Sequence, residues 1–465
     1  MNAKELIRKL EGGALSRHAD LYRDIPAETE RYIRAIKRFT ELFGEREDVV
    51  LFSVPGRSEI SGNHTDHNHG CVLAGAIDRD IIAVTAKTDD GEIRLISEGY
   101  PEDRVKLSET TDPASQPDFS SAALIAGMVD GFRKRGLPVG GFVAYTVTEV
   151  LKGSGISSSA AFEVMVGNIL NHLYGEGKTD NAEIARIAQY SENVWFGKPS
   201  GLMDQTACAV GGFVFIDFAD PKAPVIEPIP FSLTDAGYDL MIVNTGGNHA
   251  DLNADYASIP QEMKAVAAYY GKETLRGIGE DQLISDAPIL RRTVGDRALL
   301  RALHFVRENK RVLAQAAALR GGDLPAFLDG VNASGRSSFM YLQNVYTNQN
   351  VEEQGLSLAL AVTDGLLAGK GCAFRVHGGG FAGTILLLHP LYPDGVKHLR
   401  AGDASDLIGE CTYADGFGIP RISVICLHVV AREVSRGSGE TALIAVIAAA
   451  SEEVMLIGHH LVERQ

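Results

Sequence analysis

An α/β or α+β fold divided into two or three domains is predicted here by three observations. Runs alternating between apolar and polar residues interleave with runs whose apolar residues recur at helical spacing. The chain's 465 residues exceed what a single small core accommodates. A Gly/Ser stretch over residues 153–159 joins one alternating run directly to one helical run.

Composition narrows the function classes before any motif is read. The net charge of −16 leaves no basic excess to neutralise a phosphate backbone, so nucleic-acid binding is not expected as the main task. A bound nucleotide would then need a local cradle and a cation. Five cysteines, Cys71, Cys208, Cys372, Cys411 and Cys426, are scattered without Cys-x-x-Cys pairs. That argues against a disulfide framework or a zinc site and for a reducing cytoplasm. Residues 1–10 carry charges where a signal peptide needs an apolar centre, and the longest apolar run, 442–450, is too short to span a bilayer. A cytoplasmic protein with no membrane partner is the expectation.

Taken in order, residues 1–48 are charged and helical in pattern, with Tyr32, Ile33, Ile36, Phe39 and Phe43 on one apolar stripe that reads as packing. After a short apolar strand, residues 54–70 read as a loop. It crowds an arginine, a carboxylate, an amide and three histidines between glycines, the equipment for hydrogen-bonding a polyol from several sides. His64, His67 and His69 could be taken for a metal cluster, but the spacing is no standard zinc arrangement and hydrogen-bonded histidines are expected. Strands are predicted over 81–87 and 92–97, a helix over 120–136 and a strand over 142–150.

That strand feeds Gly153, Ser154, Gly155, Ile156, Ser157, Ser158 and Ser159, and a helix follows over 160–174. Glycines permit close backbone approach, serines supply donors and acceptors, and a new helix leaves its first N–H groups unpartnered, a combination that attracts phosphate. A Ser-rich helix cap reads the same residues equally well. No Gly-Lys-Ser/Thr closes the stretch, so nucleotide binding here would rest on Mg²⁺ and other groups. A helix over 181–196 carries Glu192 near its end, residues 197–201 break it, and Asp204 follows among apolar neighbours. Asp204 suits either a helix N-cap or a carboxylate held where a substrate hydroxyl arrives. Next come a strand over 211–218, a proline-spaced connector over 221–230, a strand over 239–245 and a long helical stretch from Asp255-Tyr256 to about 319. A helix over 351–367 and a Gly-rich turn into an apolar strand over 374–388 complete the pattern.

Four motifs stand in one order: Pro55-Gly56-Arg57 through His64-Thr65-Asp66; the 153–159 loop; Gly201-Leu202-Met203-Asp204-Gln205 with Glu192 upstream; and Gly378-Gly379-Gly380-Phe381. Over roughly residues 20–395 the chain thereby resembles the GHMP small-molecule kinases, the galactokinases most closely. The resemblance implies an α+β, two-domain GHMP kinase fold. Its N-terminal domain would be like the second domain of ribosomal protein S5 and its C-terminal domain ferredoxin-like, with the active site in the cleft between them. The corresponding boundaries are 1–220 and 231–400, with 401–465 an atypical tail. The activity implied is that of an ATP-dependent sugar 1-kinase, a cytoplasmic monomer that uses ATP and Mg²⁺, with galactose the first substrate to consider. Position by position, Asp204 would take the proton of the anomeric hydroxyl and Arg57 would keep Asp204 ionised. Gly153, Ser154, Gly155, Ile156, Ser157, Ser158 and Ser159 would wrap the phosphates, and Ser159 and Glu192 would hold Mg²⁺. Asn63, His64, Thr65, Asp66, Gly201 and Tyr256 would lie at the sugar.

Three departures from that pattern shape the expectation. Galactokinases carry Gly-Glu-His-Thr-Asp where this chain has Gly62-Asn63-His64-Thr65-Asp66, and an amide in place of a carboxylate makes a deoxy sugar, an amino sugar or an epimer an alternative substrate. Lys152, just before the ATP loop, either adds charge near the phosphates or faces solvent at a strand end. Residues 402–465 match nothing in the pattern and are assigned no chemistry. A different class, a sugar- and ATP-binding regulator without catalysis, is disfavoured by the intact Ser157-Ser158-Ser159-Ala160-Ala161 stretch and by the presence of both Arg57 and Asp204.

Overall fold

The computed structural model describes residues 1–391 except 19–20, 23, 151–154, 199 and 246–251, together with the strand Ser423–Leu427. Of the residues singled out above, Lys152, Gly153, Ser154 and Cys411 lie outside those described. The chain forms two compact units. One comprises Met1–Arg57 with Gly75–Phe213, the other Ser58–Ala74 with the described residues from Val214 onward. Each mixes helices with strands, as the α+β expectation requires.

The first unit opens with α1 (Ala3–Glu11) and α2 (Ile25–Phe43). Asn2 and Glu5 cap α1 reciprocally, and Asp24 caps α2 by accepting from Ala27 N–H. The strands are β1 (Val50–Ser61), β2 (Cys71–Thr88), β3 (Glu92–Ser97), β4 (Glu102–Lys106) and β5 (Gly141–Thr148). They line up as β4-β3-β5-β2, with β1 also paired to β2; β3 and β5 are parallel, whereas β3 with β4 and β2 with β5 are antiparallel. Tyr32, Ile36 and Phe39 of the α2 stripe are buried against Ile82, Val84 and Ala86 of β2 and Val143 and Tyr145 of β5, alternate residues that share one sheet face.

Residues 54–61, read above as loop, are strand: β1 continues through Ser61 because β2 supplies a ladder along its polar half. Strand β4 carries no alternating apolar signal, because Glu-Asp-Arg-Val-Lys buries only Val105. Helices α3 (Ser121–Lys134), α4 (Ser158–Leu173), α5 (Asn181–Tyr190) and α6 (Met203–Val210) pack on one another. The helix predicted over 181–196 is α5 prolonged by a single π turn, Ser191–Trp195, which carries Glu192.

In the second unit, β6 (Phe213–Asp217) is followed by β7 (Val225–Ile229), so the stretch read as a connector holds an edge strand, a place where Pro228 costs no ladder bond. A four-stranded antiparallel sheet runs β11-β8-β10-β9, from β8 (Tyr238–Asn244), β9 (Ala373–His377), β10 (Thr384–Pro390) and β11 (Ser423–Leu427). Backbone pairing of β11 with β8 runs from Ser423 opposite Asn244 to Leu427 opposite Leu240, so part of the segment that matched no pattern closes this sheet.

The stretch expected to be helical to about 319 is four helices, α7 (Asn253–Tyr269), α8 (Glu280–Ser285), α9 (Ala287–Thr293) and α10 (Asp296–Gly321). Gly295, at φ 92, makes the break before α10. Helix α11 (Leu324–Ser337) was hidden in the sequence by its glycines, and Gly335 is there so that the backbone of Phe374 can pass, since a Cβ would meet Phe374 O at 2.9 Å. Helix α12 (Gly355–Leu367) starts four residues later than expected. Among the described residues no helix is long and apolar enough to cross a membrane.

Candidate functional site

In the first unit, β1 and α6 bring Arg57 and Asp204 to the start of α4. Arg57 grips Asp204 with two parallel bonds, Nε to Oδ1 and Nη2 to Oδ2, both 2.8 Å, while Nη1 donates to Gly155 O at 2.6 Å. Such a fork fixes direction as well as charge. The backbone adds a further tie, Arg57 N to Ile156 O at 3.1 Å, and Gly56 is needed for that approach because a Cβ there would stand 2.7 Å from the same oxygen. Ser157 Oγ donates to Asp204 Oδ2 at 2.5 Å. Burial alone would push the Asp204 carboxyl up; the Arg57 charge and its hydrogen bonds, then Ser157 and Lys198, outweigh it and hold the group below its ordinary range. The cap of α6 is Leu202, so Asp204 is no N-cap, and Gly201 is the exposed residue just before that cap.

Ser157 sits at the N-cap of α4 in the left-handed region, φ 63, and makes no capping bond. Its hydroxyl goes to Asp204 instead. The first backbone bond of α4 is Ala161 N to Ser157 O, which leaves the N–H groups of Ser158, Ser159 and Ala160 for an incoming anion at the positive end of the helix. A non-glycine residue in that conformation costs about 1–3 kcal/mol, and the bond to Asp204 is what holds it there.

Beside this lies a buried polar chain. Glu192 Oε1 accepts from Ser159 Oγ at 2.9 Å and from Lys198 Nζ at 2.7 Å, and its Oε2 accepts from Gln205 Nε2 at 2.7 Å. Gln205 Nε2 also lies 3.3 Å from Glu163 Oε2. Burial first, then the charge of Glu192, pushes the Glu163 carboxyl well above its ordinary range. Ser159 and Glu192 present hard oxygen donors 2.9 Å apart at the helix end, a pair that fits Mg²⁺ when phosphate oxygens and water fill the remaining positions. Among the described residues no group of three or more His, Cys, Asp and Glu could hold a metal unaided.

The second unit joins two motifs that the sequence keeps more than 300 residues apart. Side chains take every glycine carbonyl of the 378–380 run: Asn63 Nδ2 donates to Gly378 O at 2.7 Å, His64 Nε2 at 2.9 Å and Asn344 Nδ2 at 3.0 Å to Gly379 O, and Tyr256 OH to Gly380 O at 2.7 Å. Tyr256 also meets Phe381 edge to face, ring centroids 5.2 Å apart. His64 and Phe381 both hold φ near +57, at 56 and 58, so strain gathers where the motifs meet. Asn63 is fully engaged: Nδ2 also donates to Glu59 Oε1 at 2.7 Å, and Oδ1 accepts from Asn344 Nδ2 at 2.5 Å.

Thr65 Oγ1 lies 2.8 Å from Gly62 O and 2.7 Å from Cys71 O, so this hydroxyl staples the turn. Asp66 Oδ1 accepts from His67 N and Nδ1; burial would raise its carboxyl, but the His67 bonds and charge prevail and bring it down to about 2. Burial, then His67, lowers His64 to about 4, so it is neutral at physiological pH. Glu59, Asn344, Gln205, Glu163 and Lys198 went unassigned in the sequence. Gln205 and Glu59 had a signal, their places inside the Asp204 motif and the 54–70 stretch; Asn344, Glu163 and Lys198 are chosen by tertiary neighbours that no spacing reports.

These arrangements can be set beside known proteins. The galactokinase galactose-binding signature matches residues 37–87, and the GHMP kinases N terminal domain matches residues 120–212. A galactokinase of Streptomyces coelicolor is 33% identical over 357 residues, which is 76% of this chain and 87% of that protein. One from Actinobacillus pleuropneumoniae serotype 5b is 32% identical over 373 residues, 79% of this chain and 91% of the other. In fold, the chain is similar to Lactococcus lactis galactokinase solved with galactose, at a TM-score of 0.68 and 23% identity over 85% of this chain and 97% of that one. A mevalonate kinase follows at a TM-score of 0.54 and 14% identity, over 82% of this chain and 100% of the other.

Proposed function

This chain belongs to the galactokinase family and is a sugar kinase, and we propose that it moves the γ-phosphoryl group of ATP to the anomeric hydroxyl of galactose. The observation that carries the proposal is a single carboxylate, Asp204, bound at once by Arg57 and by Ser157 of the phosphate loop. Phosphoryl transfer asks little covalent chemistry of a protein: it needs two oxygens in line and compensation for charge. Asp204, ionised and aimed by a rigid fork, accepts the proton of the attacking hydroxyl. Arg57 keeps that carboxylate charged and steadies charge on the transferring group. The free N–H groups at the start of α4 cradle the phosphates. Ser159 and Glu192 would hold Mg²⁺, which when bound neutralises phosphate charge.

On the sugar side we assign His64, Asp66, Gly201 and Tyr256 to direct contact, with Asn63 and Thr65 shaping the loop that presents them. A second reading, a 1-kinase for another hexose, is favoured by one observation: both Asn63 amide donors already serve protein acceptors, so the sugar meets neither. A panel of galactose, its epimers, deoxy sugars and amino sugars, assayed for sugar-dependent ADP release with ATP and Mg²⁺, decides between them. Turnover fastest on galactose supports the proposal, and turnover confined to another sugar replaces it with the second reading. In the same assay Asp204→Asn should lower kcat about 10³-fold while sparing ATP binding. Undiminished turnover in that variant would remove Asp204 from the mechanism.

A further inference from the structure

Lys198 lies six residues beyond Glu192, just past the π turn, and returns to it twice: its backbone N–H donates to Glu192 O at 3.1 Å and its Nζ to Glu192 Oε1 at 2.7 Å. Gly197, at φ 82, makes the turn that permits both. The pair is lopsided, with the Lys198 side chain 52% exposed and that of Glu192 1%. The ammonium therefore reaches in from solvent to an oxygen that is otherwise sealed. That oxygen is also the acceptor of Ser159 Oγ, the second group assigned to Mg²⁺ above.

A buried carboxylate without a cation is costly, and among the described residues the site's other cation, Arg57, is committed to Asp204. A lysine suits a temporary post better than an arginine. Its charge is a point on a flexible stem, it makes no bidentate grip, and an ammonium already half in water loses little by moving fully into it.

We propose that Lys198 is a tethered stand-in for the metal: it neutralises Glu192 while Mg²⁺ is absent and yields Oε1 when the divalent ion arrives. The inference rests on Glu192 being a metal ligand. Two consequences follow from competition for one oxygen. Metal affinity is lower than Ser159 and Glu192 alone would give, and the metal-free protein is more stable than it would be without the lysine.

The test uses Mn²⁺ as an EPR-visible probe, titrated into the full chain without nucleotide, together with melting temperatures in EDTA and in excess Mg²⁺. Lys198→Met should bind Mn²⁺ roughly fivefold tighter, melt lower in EDTA and recover more with Mg²⁺ than the parent does. Lys198→Arg keeps the charge but can grip a carboxylate with a fork, so it should bind Mn²⁺ more weakly than the parent while melting no lower in EDTA; this covers the case of a Met variant that does not fold, and Mn²⁺ affinity equal to the parent's would overturn the competition. Glu192→Gln separates the two layers of the argument. If that variant loses Mn²⁺ while Lys198→Met binds it no better than the parent, the lysine's role is overturned and the metal site stands. If Glu192→Gln binds Mn²⁺ unchanged, the metal assignment itself fails and the inference falls with it.

Discussion

Asn63 stands where galactokinases carry glutamate, and its two amide hydrogens point at Glu59 Oε1 and Gly378 O. A glutamate in its place would set a third acceptor against those two and give up both bonds. Asn63→Glu should therefore destabilise the protein by about 2–3 kcal/mol and raise KM for the sugar, because His64 and the 378–380 run lose their anchor. Thermal melting and steady-state kinetics check this; a variant as stable as the parent with a lower galactose KM would mean the surrounding groups rearrange to accept a carboxylate. The residue scale also marks what spacing can report. Arg57, Asp204, Ser159 and Glu192 were legible because short motifs hold them at fixed intervals. The bond from Ser157 to Asp204, the Asn344 contact and the Lys198 pairing were not, since each joins residues through the fold.

Among elements, the turn between β9 and β10 shows how local geometry sets tolerance. Gly378 and Gly380 both have positive φ, 67 and 85, yet only Gly380 is crowded: a Cβ there would collide with Asn344 O, whereas at Gly378 nothing lies within 4 Å. Gly378→Ala should cost only its backbone strain, about 1 kcal/mol. Gly380→Ala adds a clash with backbone and should cost about 3 kcal/mol or more, read as a larger drop in melting temperature. Equal losses would show that Asn344 can move aside. Element type was legible wherever periodicity was long, as in α2, α4 and β5. It failed where function or packing overrides pattern. Strand β1 is polar through Arg57 and Glu59 because it carries site residues into a buried ladder, and α11 is rich in glycine because neighbours pass close to it.

Across the whole molecule, the two units carry buried titratable groups whose shifts run in opposite directions. In the first, burial raises Glu28 to about 8 despite Arg31, and burial raises Asp80 to about 6. Acids raised in the fold stabilise it below their ordinary values and cease to do so as pH climbs through the folded ones, so this pair weakens the first unit from about pH 4 upward to about pH 8. In the second, burial lowers His64 to about 4 and His304 to about 3; His304 Nε2 donates to Asn63 O at 3.0 Å and Nδ1 accepts from Ser337 Oγ at 2.9 Å. Histidines lowered in the fold support it above their ordinary value near 6.5, and that support is lost as pH falls towards 4 and 3. For His304 the loss is on the order of 3 kcal/mol by pH 4. Melting temperature against pH should thus show a maximum near pH 6, with an acid limb owed to the histidines and an alkaline limb owed to Glu28, Asp80 and Glu163, the last raised by burial in the same direction. His304→Gln, which keeps a donor for Asn63 O and cannot charge, should flatten the acid limb alone, and Glu28→Gln the alkaline limb alone. An acid limb of parental slope in His304→Gln would assign that loss to other groups. The carboxylates held low by partners, Asp66 and Asp204, weaken the fold in the same acid direction and are the first to examine.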